Sequence, residues 1–143
     1  MICQILSYIA KLFDPLGWLA PVTIRAKIFM QDLWKSNLKW DELIFNELAQ
    51  EWKIYYDQLD VIEDISVPRY IQYQLQGAKY ELHGFCDASE KGFSACIYLR
   101  VIHSDSSYSC YLIMSKTRVA PVKIVSLPRL ELCGAVLLIR LMK

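Results

Sequence analysis

The sequence carries almost no net charge: 16 Lys and Arg against 15 Asp and Glu leave a formal +1. No global field therefore draws the chain to nucleic acid or to a membrane surface, and any such contact has to come from a local patch. Metal-site punctuation is missing too. The five cysteines, Cys3, Cys86, Cys96, Cys110 and Cys133, are odd in number and form no C-x-x-C pair, and His83 and His103 do not complete a zinc pattern. Three of them lie in strand-like runs, where a free thiol serves as a small hydrophobe of a reduced interior. The longest apolar run, Cys133 to Ile139, falls far short of the roughly 20 residues of a membrane span. The amino-terminal stretch has no basic n-region and is interrupted by Gln4 and Lys11. These absences point to a cytoplasmic or nuclear protein with no membrane partner. No Asp-Thr/Ser-Gly loop and no Ser/His/Asp or Cys/His set is evident, so a peptidase is not supported.

What is present is apolar and ordered: 55% hydrophobic, 13% aromatic and 22% charged residues, a globular composition. Ile2, Ile5, Leu6, Ile9, Leu12 and Phe13 make the stripe of an amphipathic helix over residues 2–13. Asp14-Pro15-Leu16-Gly17 stops it. Residues 22–38 read as a second helix, apolar on several faces, with Pro21 near its first turn. Asp41 is the expected N-cap of a third, with Trp40 and Phe45 at staple positions and Ile44, Leu48, Trp52, Tyr55, Tyr56 and Leu59 as its stripe. The four tryptophans read as core rather than as a stacking platform. Periodicity is lost around Pro68. The expected organisation is a helical thumb- or connection-like module over 1–62, a linker over 63–78 and an α/β unit over 79–143.

The carboxyl-terminal unit begins with alternation over 79–87, which sets Leu82, Gly84 and Cys86 on one face and Glu81, His83, Phe85 and Asp87 on the other. A turn over 88–92 leads to a second alternating run, 93–101, and a polar loop to a third beginning at Tyr108. Short links between consecutive strands imply an antiparallel meander. Lys116, Arg118 and Lys123 follow in a loop containing Pro121. A last helix starts near Leu127 with Ser126 as N-cap, packing through Leu130, Gly134, Leu137, Leu138 and Leu141, with Glu131 in its first turn beside that stripe. Each acid alone has a bland reading: Asp87 caps local amides and Glu131 complements the helix dipole. Together they are more specific. A helix folded back across the sheet can carry its first turn to the end of the first strand, where two carboxylates offer hard oxygen ligands for Mg²⁺ or Mn²⁺.

Strand-Asp87-Ala88-Ser89, then Gly92, Ala95 and Arg129-Leu130-Glu131-Leu132 at a helix start, resembles the first half of a ribonuclease H domain. Ser7 to Gly17, Leu19 to Lys27, Val67-Pro68-Arg69 and Lys116 to Pro121 resemble the Pol polyprotein of BEL/Pao-type retrotransposons. The resemblance covers nearly the whole chain. It implies a truncated ribonuclease H-like fold, a three-stranded antiparallel meander plus first helix, preceded by an all-α module. It implies a parent enzyme that hydrolyses RNA in RNA–DNA hybrids during reverse transcription. Asp87 and Glu131 would be the catalytic metal ligands for Mg²⁺ or Mn²⁺. Ser89, Lys116, Arg118, Lys123 and Arg129 would contact the hybrid, and the remaining Pol domains (reverse-transcriptase palm, the rest of ribonuclease H, integrase) would be partners. The polymerase Tyr-x-Asp-Asp signature is absent, and the chain ends at Lys143 within the first helix. The expectation is therefore a fragment inactive alone, the alternative being a non-catalytic remnant that binds nucleic acid or protein.

Overall fold

The computed structural model describes residues 2–44, 47–67 and 77–143. The described residues divide into two compact units that do not follow chain order: Met1–Phe13 with Arg25–Arg69, and Asp14–Ile24 with Tyr70–Lys143.

The first unit is helical. Helix α1 (Ile2–Ala10), the larger part of α2 (Ala20–Lys35) and α3 (Glu47–Asp57) are followed by a 3₁₀ segment, Leu59–Asp64. Its core is Ile2, Ile5, Phe29, Met30 and Leu33, with Ile9, Leu38, Ile44, Leu48 and Trp52 packed against it. The α1 stripe is thus used at its start, while Leu6 and Phe13 stay exposed. Trp52 stacks on Phe29 with ring centroids 5.5 Å apart and touches Tyr55 and Tyr56. It is a core tryptophan, whereas Trp34 and Trp40 are exposed. Asp41 does not cap a helix. It lies in a turn, the Glu42 carboxylate accepts the Lys39 amide at 3.0 Å, and the described helix begins at Glu47. Phe45 lies outside the described residues, as does most of the expected linker.

The second unit is a three-stranded antiparallel sheet in the order β1-β2-β3, with β1 Lys79–Ser89, β2 Gly92–Ile102 and β3 Tyr108–Val119, followed by helix α4 (Leu127–Leu141). The α/β class and the meander-plus-helix arrangement are as expected. Three local expectations change. First, β1 does not stop at Asp87: Ala88 and Ser89 continue its pairing with Phe93 and Gly92, leaving a two-residue turn, Glu90-Lys91. Second, Lys116 and Arg118 are not in a loop, because β3 runs on to Val119 and pairs them with Ala95 and Phe93. Third, Ser126 starts α4 through its carbonyl, which accepts the Arg129 and Leu130 amides at 3.0 and 3.1 Å; its hydroxyl makes no cap bond.

The core of this unit is the face of the sheet under α4: Ala95, Ile97 and Val101 of β2 against Leu130 and Leu137. Residues 14–24, read in the sequence as part of a helical module, belong to this unit. The Asp14 carboxylate accepts the Trp18 and Leu19 amides at 2.9 and 2.8 Å, closing a tight turn. That turn lies along the outer edge of β3. The Ser115 amide donates to the Leu16 carbonyl at 2.8 Å and its hydroxyl donates to the Gly17 carbonyl. Gly17 is required here twice over. Its φ of +76° disfavours any side chain, and a Cβ would overlap the Ser115 carbonyl oxygen.

Candidate metal centre

Two contacts fix how α4 lies on the sheet. The position that a Cβ would take at Gly84 is 2.7 Å from Leu138 Cδ1, and the one at Gly134 is 3.5 Å from the Asp87 carbonyl oxygen and 3.6 Å from Cys86 Cβ. As numbers rise along α4 they fall along β1, so the helix runs back antiparallel to the strand. From Leu138 to Glu131 is seven residues, two turns and about 10 Å of helix, ending on nearly the same side. From Gly84 to Asp87 is three residues, about 10 Å of strand. With Gly134 level with Cys86 and Asp87, Glu131 lies three residues, about 4.5 Å, further along the helix toward the Ala88 end of β1. Leu138 marks the β1 side of the helix, so Glu131 projects toward the outer edge of β1.

Asp87 reaches that edge from the other side. The Cys86 Cβ is on the α4 side of the strand although the residue stays exposed, and alternation turns Asp87 to the opposite face, in line with Phe85. Phe85 confirms the assignment by meeting Tyr98 edge-on across the strands, centroids 6.1 Å apart. One Asp87 oxygen accepts the Ala88 amide at 2.8 Å, and both Asp87 and Glu131 are exposed. Both carboxylates are thus exposed near the carboxyl-terminal end of β1, Asp87 on the face away from α4 and Glu131 on the helix-covered side. Among the described residues no group of three or more His, Cys, Asp or Glu is gathered for a metal ion. Two hard oxygen donors fit a Mg²⁺-type ion, which keeps waters and uses one or two carboxylates plus substrate oxygens. They do not by themselves provide the shared carboxylates of a two-ion centre.

The basic residues fall elsewhere. Lys116 and Arg118 are exposed on the helix-covered face of β3, two strand spacings or about 10 Å from β1. Arg129 lies on α4 nearly opposite Glu131 around the helix, toward β3. Lys123 is exposed in the segment between β3 and α4. The amino-terminal turn of α4 thus separates an acidic rim at β1 from a basic rim at β3. Ser89 is committed to the hairpin, its hydroxyl donating to the Gly92 carbonyl at 3.2 Å. On the open face, burial pushes the Cys96 thiol up, partly offset by a hydrogen bond from the Phe85 backbone and reinforced by Cys86.

A strand-strand-strand-helix unit with an acid near the end of its first strand and a second in the first turn of its helix now has a counterpart. A family model of the Pao retrotransposon-like RNaseH-like domain matches residues 2–143. The chain belongs to that family. No curated protein and no solved structure matches it. The match takes in both units of the Pao-type chain, so the helical residues are part of the family's domain and not an unrelated neighbour. Sequence reading put Gly134 in the packing stripe but gave it no part in the site. This residue, three positions after Glu131, faces Cys86 and Asp87 with room for no more than a Cβ at ordinary contact distance, and a glycine within an apolar helical stripe was the available signal. No helix among the described residues is long and apolar enough to cross a membrane.

Proposed function

We propose that this chain contributes the metal-anchoring part of a ribonuclease H-type activity in a BEL/Pao retrotransposon Pol polyprotein, acting on RNA in RNA–DNA hybrids. What supports the reading is that α4 runs back along β1 with Gly134 against Cys86 and Asp87, so that its first turn, which carries Glu131, lies near the end of that strand. Asp87 and Glu131 would be the residues that hold a Mg²⁺ or Mn²⁺ ion, through their carboxylate oxygens. When bound, such an ion supplies Lewis-acid activation of the scissile phosphate. Gly134 sets the height of Glu131, and the Ala88 amide orients Asp87. Lys116, Arg118, Lys123 and Arg129 hold the phosphate backbone on the far side of the helix end, in sequence-independent and salt-sensitive contacts. Hydrolysis by a two-ion route draws on further acids and on the other Pol domains, the reverse-transcriptase palm and integrase among its partners.

A second reading has one observation in its favour: among the described residues no group of three or more His, Cys, Asp or Glu is gathered for a metal ion. In it the chain is a non-catalytic interaction module. Fluorescence anisotropy with a labelled RNA–DNA hybrid separates the two. The first reading predicts Mg²⁺-enhanced binding that weakens with salt, loses its Mg²⁺ dependence in Asp87→Asn, and falls in a Lys116→Glu, Arg118→Glu double variant. Binding indifferent to Mg²⁺ and to Asp87→Asn sinks it and leaves the interaction module.

A further inference from the structure

The charged end of β3 is held by a segment far away in the chain. Residues 14–24 belong to the same compact unit and touch this part of the sheet twice. At one end the Ser115 amide donates to the Leu16 carbonyl at 2.8 Å, and the Ser115 hydroxyl donates to the Gly17 carbonyl. At the other, Ile24 Cδ1 comes within 3.6 Å of the position that a Cβ would take at Gly92, the residue paired with Val119. Lys116 and Arg118 lie between these two contacts.

The stretch needs such support. Ser115-Lys-Thr-Arg118 is a polar run near the end of a strand, where few apolar contacts oppose fraying. Alternation gives its two faces different surroundings. Ser115, Thr117 and Val119 are half-buried on one face, while Lys116 and Arg118 are exposed on the other. Among the described residues neither Lys116 nor Arg118 makes an ion pair. Held as strand, the two cations stand about 6.6 Å apart on one face.

We propose that Asp14, Gly17 and Ser115 are positioning residues for the phosphate contacts of Lys116 and Arg118. This role presupposes the phosphate contacts put forward under the proposed function, and adds what holds the two cations ready for them. The Asp14 carboxylate closes the turn by accepting the Trp18 and Leu19 amides at 2.9 and 2.8 Å. The closed turn presents the Leu16 and Gly17 carbonyls to Ser115, and Ser115 fixes the strand one residue before Lys116. A backbone ordered before the phosphates arrive spares the two cations part of the ordering cost of binding. The turn itself contacts no phosphate and acts only through β3.

The test is a variant cycle on the full chain, read by fluorescence anisotropy with a labelled RNA–DNA hybrid over a range of salt, with far-UV circular dichroism as the folding control. Lys116→Gln together with Arg118→Gln is expected to weaken binding about tenfold or more and to lower the slope of log affinity against log salt by roughly 1.8. Asp14→Ala removes an acid, which by charge alone strengthens binding to a polyanion. It is expected instead to weaken binding about fivefold and to lower the salt slope, with the Mg²⁺ dependence kept. Asp14→Asn, which retains an accepting oxygen, is expected to recover part of that loss. Added to the Lys116→Gln, Arg118→Gln variant, Asp14→Ala is expected to change almost nothing. If Asp14→Ala fails the folding control, Ser115→Ala carries the same cycle, since it keeps the backbone bond to Leu16. The positioning role is overturned if the folded turn variant binds as wild type does, keeps the wild-type salt slope, or weakens the double variant as much as it weakens wild type. A wild type that does not bind the hybrid, or a Lys116→Gln, Arg118→Gln variant that binds as wild type does, overturns the phosphate contacts themselves and the positioning role with them.

Discussion

Gly17 and Gly134 show how much rests on a missing side chain, in opposite senses. At Gly17 a Cβ is excluded both by φ and by the Ser115 carbonyl. Gly17→Ala is expected to cost about 2 kcal/mol or more in urea unfolding, with Ser115→Ala cheaper because it leaves the backbone bond to Leu16. At Gly134 the nearest atoms to a Cβ are 3.5–3.6 Å away, an ordinary contact. Gly134→Ala is therefore expected to be neutral or to stabilise by up to about 1 kcal/mol, since alanine is the better helix former, while Gly134→Leu pushes α4 off β1. Cys96 offers a chemical check. Its raised thiol pKa and partial burial leave less thiolate at pH 8, so iodoacetamide should modify Cys96 after Cys86 and Cys110, and raising the pH should narrow the gap. The glycine in Asp-Pro-Leu-Gly was legible in the sequence as a turn. Its partner Ser115, 98 residues away, was not, because nothing local marks the residue that a turn will dock against.

Among the elements, periodic segments were legible and their ends were not. The hydrophobic stripe of α4 named Leu130, Gly134, Leu137, Leu138 and Leu141; the first three are buried and the last two half-buried. Leu130→Ala at a site 1% exposed is expected to cost about 2–5 kcal/mol, and Leu132→Ala at 65% exposure under about 0.5 kcal/mol, both from chemical denaturation. The two β hairpins followed from alternation, yet the charged Lys116 and Arg118 hid the last third of β3. Strand pairing to β2 continues beneath side chains that read as loop. Asp41 failed for a related reason. A capping residue beside a staple pair is a local signal, and the Lys39–Glu42 turn takes its place. In the candidate site, both acids were legible as residue types at strand and helix ends. The return of the helix toward the end of β1 was expected as well; the contacts that hold it there, those of Gly84 and Gly134 with the opposing element, were not legible.

On the scale of the whole molecule, the Pao family match extends over both compact units, although only the second carries the acids. The near-neutral net charge hides a separation that matters more, with Asp87 and Glu131 at the β1 edge and Lys116, Arg118 and Arg129 toward β3. On the proposed function, a hybrid laid across the amino-terminal end of α4 would meet the two acids on one side and the cations on the other, which would give salt-dependent binding without a large overall field. The central claim is that Asp87 and Glu131, from opposite faces of one strand, act on a single divalent ion. It is tested most directly by a Mn²⁺ titration followed by electron paramagnetic resonance on wild type, Asp87→Asn, Glu131→Gln and the double variant. The account predicts binding to wild type that each single substitution weakens about tenfold or more and that the double variant weakens little further, since removing either ligand dismantles one site. Equal Mn²⁺ affinity in wild type and in both single variants would contradict it.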